Sequence, residues 1–445
     1  MSQCTVSVFG LGYVGLCTAV SFAQKGINTI GVDIEEEKVK MINQGKAPIF
    51  EHGLETALQS SLSQGAFHCT VDPREAILGS DISIIAVGTP SRPDGSIDLQ
   101  YIQSVSEIIG AVLKEKATYH LIVDKSTVVP GTTLNVIKPL LESCSGKTCG
   151  INFGLCTNPE FLQEGNALKG TLNPDRIVIG EYDPLSGKTL EELYRRFHGQ
   201  EMPPVLKTNL TNAELIKYAN NAFLATKISF INMIANICEK TTEADVTVVA
   251  RGIGLDHRIS PHFLEAGLGY GGSCFPKDVK ALIAYSNEIH CEPRLLESVE
   301  QLNQLQPLKV VDQAKKFLGG LKHKRVALLG LSFKPGTDDM REAVSIKIIQ
   351  KLLQEQADIA AYDPAAKDNA EKIFGKTITY APSMQECIRD ADCCIIVTEW
   401  DEFKSLAPDD LDSMRTRILI DGRRISDPKK FRGKTKYAAI GLGPS

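Results

Sequence analysis

Short apolar runs alternate with helical stretches along this chain, and most of the runs stop at a glycine, a proline or an acidic residue. Thr5-Val6-Ser7-Val8-Phe9 reads as a strand and 16–23 as a helix. A second strand, 28–32, ends at Asp33. Two more apolar runs, 81–87 and 120–124, close at Gly88-Thr89-Pro90 and at Lys125-Ser126-Thr127. Asn158 before Pro159 predicts a helix that places Glu160 and Glu164 on one face. Thr211-Asn212-Ala213-Glu214 has the form of a capping box opening a helix through about residue 240. In the last third, runs at 325–329, 359–363 and 393–398 repeat the strand pattern, the first again ending at a glycine, Gly330.

This alternation predicts α/β architecture: two doubly wound Rossmann-like domains joined by a long central helix. A length of 445 residues allows two or three domains. The expected division is 1–200 for a dinucleotide-binding domain, 201–306 for a helical and dimerisation domain carrying the key cysteine, and 307–445 for a second Rossmann-like domain. The boundary between the last two falls in the 307–324 region.

Composition narrows the function classes. A formal net charge of −5 argues against a general nucleic-acid surface, which is usually basic. No apolar stretch approaches the roughly 18–20 residues that cross a bilayer, and Met1-Ser2-Gln3 has no basic residues of a secretory leader. A cytoplasmic protein with no membrane partner is expected. The 12 cysteines include no C-x-x-C pair and no Cys/His spacing for zinc, so no metal is expected. Most lie singly in apolar runs, as reduced thiols do in a cytosol. Cys144 and Cys149, flanking a Ser-Gly-Lys-Thr turn, are the pair that could bridge.

The chemistry begins at Gly10-Leu11-Gly12-Tyr13-Val14-Gly15, between a strand and a helix, with Asp33 18 residues after Gly15. In a dinucleotide-binding βαβ unit Gly10 makes the tight turn, Gly12 lets the backbone reach a pyrophosphate and Gly15 lets the helix pack on the strand. Asp33 would bind the adenosine ribose, and Glu35, Glu36 and Glu37 would repel a 2′-phosphate, favouring NAD over NADP although Lys38 follows. A glycine-rich turn in an unrelated α/β protein is the competing reading. Thr89, Ser126 and Thr127 stand at strand carboxyl ends, where ligands bind in open α/β sheets. Glu160 and Glu164, if close, should raise one pKa, as a general acid or base requires. Lys217 and Asn221 lie four apart on one mostly apolar helical face, able to stabilise an oxyanion, and that helix also suits a dimer interface or an inter-domain spine.

Gly269-Tyr270-Gly271-Gly272-Ser273-Cys274-Phe275-Pro276-Lys277-Asp278 sets a cysteine among glycines with a lysine and an aspartate close behind. A thiol attacks as thiolate, and a nearby cation such as Lys277 lowers its pKa. Asp278 offers a base or an orienting group. A buried structural cysteine is the alternative. In the last third Gly330-Leu331-Ser332-Phe333-Lys334 lacks G-x-G-x-x-G, so a ligand there, met by Lys334 and Arg341, is expected to be a different phosphate compound.

Taken together, these motifs resemble the UDP-glucose/GDP-mannose dehydrogenase family of nucleotide-sugar 6-dehydrogenases. The resemblance runs through FGLGYVG at 9–15, VGTP at 87–90, STVVPGT at 126–132, NPEFLQEG at 158–165 and PDRIVIG at 174–180. It continues through KYANNAFLATKISF at 217–230, GYGGSCFPKD at 269–278 and FKPGTDD at 333–339. TEWDEF at 398–403, DGRRI at 421–425 and the ending IGLG look like the UDP-glucose branch. It implies oxidation of a sugar C6 alcohol to a carboxylate with two NAD⁺, through a thiohemiacetal and a thioester on Cys274. A UDP-sugar substrate and a homodimer are implied as partners. By that pattern Lys217 and Asn221 stabilise the oxyanion, Asp278 and Thr127 handle water and protons, and Glu160 is the candidate base for the thioester half. Gly10, Gly12, Tyr13, Val14, Gly15, Asp33, Lys38, Thr89, Thr127, Glu164, Lys277 and Arg341 would face the cofactor. Glu160, Phe161, Leu162, Lys217, Asn221, Arg258, Phe263, Gly271, Phe333 and Lys334 would face the substrate, Arg258 reaching a neighbouring subunit's.

The chain departs from the pattern at Leu268, where proline is usual, at Gln163, where arginine is usual, and at Ser260-Pro261, where a glycine is expected. GDP-mannose or a UDP-N-acetylhexosamine would serve the same chemistry. A two-electron β-hydroxyacid-type dehydrogenase would not need Cys274, and an NAD-sensing protein would turn over no sugar nucleotide.

Overall fold

Eight strands build the sheet of a first unit that ends at Asn220: β1 (Val6–Phe9), β2 (Thr29–Val32), β3 (Phe67–Thr70), β4 (Ile82–Ile85), β5 (His120–Asp124), β6 (Phe153–Thr157), β7 (Ile177–Glu181) and β8 (Val205–Asn209). The computed structural model describes residues 4–431 and 433–444. Strand order is β3-β2-β1-β4-β5-β6-β7-β8, parallel throughout except for the antiparallel β6–β7 pair. The first six places are the doubly wound order, whose ligand crevice lies where the winding reverses, beside β1 and β4. Phe9 pairs with both Val32 and Ile85, and Ile85 with Asp124, so β1, β2, β4 and β5 finish level at their carboxyl ends. Successive side chains enter opposite faces of the sheet. Val6 and Val8 therefore join the core around the helix Tyr13–Gln24, while Phe9, Ile30 and Ile85 join the core on the other side.

The second unit starts at Asn221 and holds six strands: β9 (Arg325–Leu329), β10 (Asp358–Tyr362), β11 (Thr379–Tyr380), β12 (Cys393–Ile396), β13 (Ile418–Asp421) and β14 (Lys436–Ala439). They run parallel in the order β11-β10-β9-β12-β13-β14, the same winding as the first six strands of the first unit. Cys393 and Cys394, adjacent on β12, are fully buried in different core clusters on the two faces. The 29-residue helix Leu210–Cys238 connects the units in sequence. Two doubly wound sheets and a long joining helix are the architecture the alternating pattern predicts.

Three local expectations fail. No helix begins at Pro159: residues 158–163 are irregular and the next helix is Ala167–Leu172. The Asn158 side chain instead donates to the Val178 carbonyl and accepts from Lys125 and Tyr194, tying down the end of β6. The capping box at 211–214 does not form either. Asn209 caps the long helix by accepting from the Asn212 N–H at 2.8 Å, and Glu214 turns elsewhere. Cys144 and Cys149 are both free thiols, as are all twelve cysteines. Leu268, standing where proline was expected, is fully buried in the second unit's core.

Candidate active site

The first unit offers a dinucleotide cradle. At the end of β1, Gly10 sits at φ +91° and its N–H donates to the Val32 carbonyl at 2.8 Å. A Cβ there would lie 2.7 Å from the Ala86 carbonyl oxygen, and one at Gly15 would overlap the Gly10 carbonyl oxygen. Only glycine fits these two places. Gly12, by contrast, has nothing within 4 Å of where a Cβ would stand, and it is the cap of the helix that starts at Tyr13. Open space over a helix N-terminus fits a pyrophosphate. At the end of β2 the Asp33 carboxylate accepts from the Leu11 N–H at 2.9 Å and from Lys38 Nζ at 3.1 Å. Burial lowers the pKa of Lys38, but its bonds to Glu35 and Asp33 outweigh that and hold it above the ordinary value. Lys38 is thus engaged by two carboxylates, and a 2′-phosphate would meet acid rather than a free cation. This residue set suits NAD.

Beside the cradle, the Thr89 hydroxyl donates to the Thr127 carbonyl at 2.9 Å, joining the loops after β4 and β5. Glu160, 8% exposed, pairs with Lys217 at 3.0 Å, and the Leu162 N–H donates to its other oxygen. Burial pushes this carboxyl up, yet Lys217, the Leu162 N–H and the nearby Lys125 together hold it below the ordinary glutamate value. The expectation of a raised pKa from a Glu160/Glu164 pair is therefore corrected for Glu160: without the helix the two are not stacked on one face, and a lysine rather than a carboxylate is its nearest charge. Glu164 lies half-buried in the following turn, which Glu51 anchors by accepting from the Gly165 N–H at 2.8 Å. The Phe161 ring lies under the Arg176 guanidinium at 4.0 Å and within 5.5 Å of Lys217 Nζ. A cavity of about 310 Å³ opens here, lined among others by Lys125, Glu160, Phe161, Leu162 and Arg176.

The second unit carries the thiol. Cys274 is half-buried at the N-cap of the helix Phe275–Glu288, where the dipole favours a thiolate. One turn on, buried Asp278 accepts from Asn221 Nδ2 at 2.7 Å and from Lys277 Nζ at 2.6 Å. Lys217 precedes Asn221 by one turn of the same long helix. The glycine run before Cys274 is pressed flat. A Cβ at Gly271 would lie 2.5 Å from the Glu342 carbonyl oxygen, and one at Gly272 would meet the Phe333 ring at 2.7 Å. Asn303 brackets Tyr270 with one bond to its N–H and one from the amide to its carbonyl. Phe263, at φ +63°, stacks its ring near Phe275 at 6.3 Å. Lys334 Nζ lies 5.5 Å over the Phe333 ring. Arg341 forks onto Asp339, with the nearest contact at 2.7 Å, and exposed Arg258 forks onto Asp256 at 2.6 Å. Ser260, in the departing stretch after Arg258, takes φ +66°.

Residue types alone did not single out Arg176, Asn220 or Lys125. Arg176 sat inside the PDRIVIG stretch without a role, and its bond to Asn220 Oδ1 at 2.8 Å spans 44 residues. Lys125 directly follows β5, and that position at a strand's carboxyl end was the available signal.

Comparison with known proteins agrees with this geometry. Residues 4–198 match the NAD binding domain of the UDP-glucose/GDP-mannose dehydrogenase family, 211–305 its central domain and 327–428 its UDP binding domain. The chain is 46% identical over 421 residues to the UDP-glucose 6-dehydrogenase AglM of Haloferax volcanii, covering 94% of this chain and 96% of that protein. It is 40% identical over 416 residues to a GDP-mannose 6-dehydrogenase of Pseudomonas savastanoi pv. phaseolicola, covering 90% and 92%. The structure of a UDP-glucose dehydrogenase from Pyrobaculum islandicum superposes with a TM-score of 0.91 at 36% identity, covering 100% of this chain and 98% of that one. With all three of its domains matched in order, the chain belongs to the UDP-glucose/GDP-mannose dehydrogenase family.

Proposed function

We propose that this protein oxidises UDP-glucose to UDP-glucuronate in two steps, consuming two NAD⁺ and one water. The observation that carries the reading is Cys274 at a helix N-cap, followed one turn later by an aspartate held by both a lysine and an asparagine. A dehydrogenase that stops at the carbonyl has no use for such a thiol. Bound NAD⁺ supplies the hydride acceptor for both oxidations. After the first, the Cys274 sulfur adds to the C6 aldehyde and its proton goes to the new oxygen, giving a thiohemiacetal. Loss of hydride and of the hydroxyl proton gives a thioester, and water then adds to the acyl carbon, releasing the carboxylate and restoring the thiol. The balance is R–CH₂OH + 2 NAD⁺ + H₂O → R–COO⁻ + 2 NADH + 3 H⁺.

Lys217 and Asn221 supply a cation and an amide N–H for the oxygen that becomes negative. Glu160, ionised beside Lys217, accepts a proton from the attacking water, with Thr127 and Asp278 ordering that water. Phe161, Leu162, Phe263, Gly271, Phe333, Lys334 and Arg258 form the substrate contacts, and Tyr13, Val14, Glu164, Lys277 and Arg341 join the glycines and Asp33 at the cofactor. The functional division is 1–200, 201–306 and 307–445. The assembly is a homodimer: Phe223, Phe230 and Ile237 recur every seven residues of the long helix and are 66%, 46% and 55% exposed, a stripe that a second copy would cover. A cytoplasmic location fits the twelve free thiols. Among the described residues no helix is long and apolar enough to cross a membrane.

The test is NADH released per limiting UDP-glucose. Two are expected, and Cys274→Ala should form no acid. One NADH per sugar, or acid formation by Cys274→Ala, would remove the thioester. Turnover with GDP-mannose and none with UDP-glucose would reassign the substrate.

A further inference from the structure

Glu214 stands in the first turn of the long helix, 2% exposed, yet it does not serve that helix, whose start Asn209 already caps. Both of its carboxylate oxygens accept backbone N–H groups from the loop after β5, one from Gly131 at 2.5 Å and one from Thr133 at 2.7 Å. No lysine, arginine or histidine pairs with it among the described residues. Thr133 is the hub of the contact. Its hydroxyl donates to Asp124 at 3.2 Å and accepts from Thr157 at 2.9 Å, so the ends of β5 and β6 converge on the same residue. The loop begins at Ser126, whose N–H donates to Asp124 at 3.1 Å, and passes through Thr127. After Thr133 the chain makes one π-helical turn, Thr133–Ile137, before it resumes α-helix at Lys138. Such turns are rare and need outside support to persist. Burial raises the pKa of Glu214 despite its three hydrogen-bond contributions, and raises that of Asp124 well above the ordinary value. Two buried carboxyls spent on one short loop cost stability that an apolar pair would not.

We propose that Glu214 is a positioning residue, clamping the loop 126–133 to the helix so that Thr127 keeps a fixed spacing from Lys217 three residues further along. The inference rests on the reading of Thr127 and Lys217 as active-site groups. A carboxylate is suited to this clamp because both of its oxygens accept. A glutamine would accept only one of the two N–H groups and aim its own N–H₂ at the other.

The experiment compares wild type, Glu214→Gln, Thr127→Ala and the double variant. Hydrogen exchange of the peptide spanning 128–133 should speed up about tenfold in Glu214→Gln, as local opening becomes easier. Steady-state oxidation of UDP-glucose should lose about 10- to 100-fold in kcat, with KM changed less than about threefold, as a misplaced group does. In the Thr127→Ala background the same substitution should cost less than about twofold, because its effect runs through Thr127. Glu214→Asp, which keeps both acceptors and shortens the reach, should recover part of the rate, and it carries the same cycle if Glu214→Gln does not fold. An equal loss in both backgrounds, or unchanged exchange at 128–133, overturns the clamp. If the wild type does not oxidise UDP-glucose, the proposed function fails while the exchange result still decides the clamp.

Discussion

Two glycine turns, one at the end of β1 and one at the end of β9, share a plan and differ in what it leaves open. Gly10 and Gly330 both take positive φ, +91° and +104°, and each donates to the last carbonyl of the neighbouring strand, Val32 or Tyr362, at 2.8 Å. The next N–H, of Leu11 or Leu331, donates in each case to the aspartate after that strand, Asp33 at 2.9 Å or Asp363 at 2.7 Å. There the likeness stops. Gly12 caps a helix beginning at Tyr13 and has open space beside it, whereas Ser332 in the matching place is fully buried and donates its hydroxyl to Asp363 at 3.0 Å. Asp363 also accepts from the Ser332 N–H, the Ala365 and Ala366 N–H groups and Trp400 Nε1. The chain after Ser332 does not enter a helix until Val344. One turn therefore presents a helix end and a carboxylate to a ligand, and the other spends the same parts on its own backbone. A Rossmann winding fixes where a ligand can bind. The two residues after the first glycine decide whether a dinucleotide does.

Breaking the first turn should have the largest effect. Gly12 has φ −79° and nothing within 4 Å of a Cβ, so valine there fits the fold and fills only the space a pyrophosphate needs. Gly12→Val should weaken NADH binding, followed by its fluorescence, by more than about 100-fold, or about 3 kcal/mol, while the melting temperature stays near wild type. Tight binding by this variant would mean the cofactor does not cross Gly12.

The paired aspartates come next. Asp33→Ala removes an acceptor that the ribose would use, and should weaken NADH by about 10- to 100-fold, the value of a hydrogen bond to a charged group. Asp363→Ala should leave NADH affinity unchanged and instead destabilise the second unit by about 3 kcal/mol, since several buried donors lose their acceptor. The comparison fails if the two substitutions act alike in a titration and a melt run side by side.

Much of this was legible in the chain. The spacing from Gly15 to Asp33 needs only a strand, a helix and a strand, and local sequence encodes all three. So do the cysteine's helix and the lysine–asparagine pair on one face of the long helix. The errors lie where a side chain had a choice between a local and a distant partner. Asn158 and Glu214 both look like helix-capping residues, and both are drawn to partners 20 or more residues away, Asn158 to Val178 and Glu214 to Thr133. Glu160 next to Glu164 suggested carboxylate repulsion, but Lys217, 57 residues on, sets its charge. Capping and pairing rules count neighbours along the chain. Buried polar groups are satisfied by whatever the sheet brings beside them.

The smallest effect is the most discriminating. If Ser332 alone kept a dinucleotide out, Ser332→Gly would restore the Gly-x-Gly pattern and some affinity for NADH. The structure argues otherwise, because no helix end follows the turn before Val344. Only one hydroxyl is lost, with its bond to Asp363 and the one it accepts from Trp400 Nε1 at 3.2 Å. A cost of about 1 kcal/mol is expected, typical of one buried hydrogen bond. Trp400 is the protein's single tryptophan, so its emission reports directly on this turn. In a Gly12→Val background, where the first site is closed, Ser332→Gly should shift that emission and add no NADH binding. Binding regained there would show that a glycine, rather than a helix start, is what the second turn lacks.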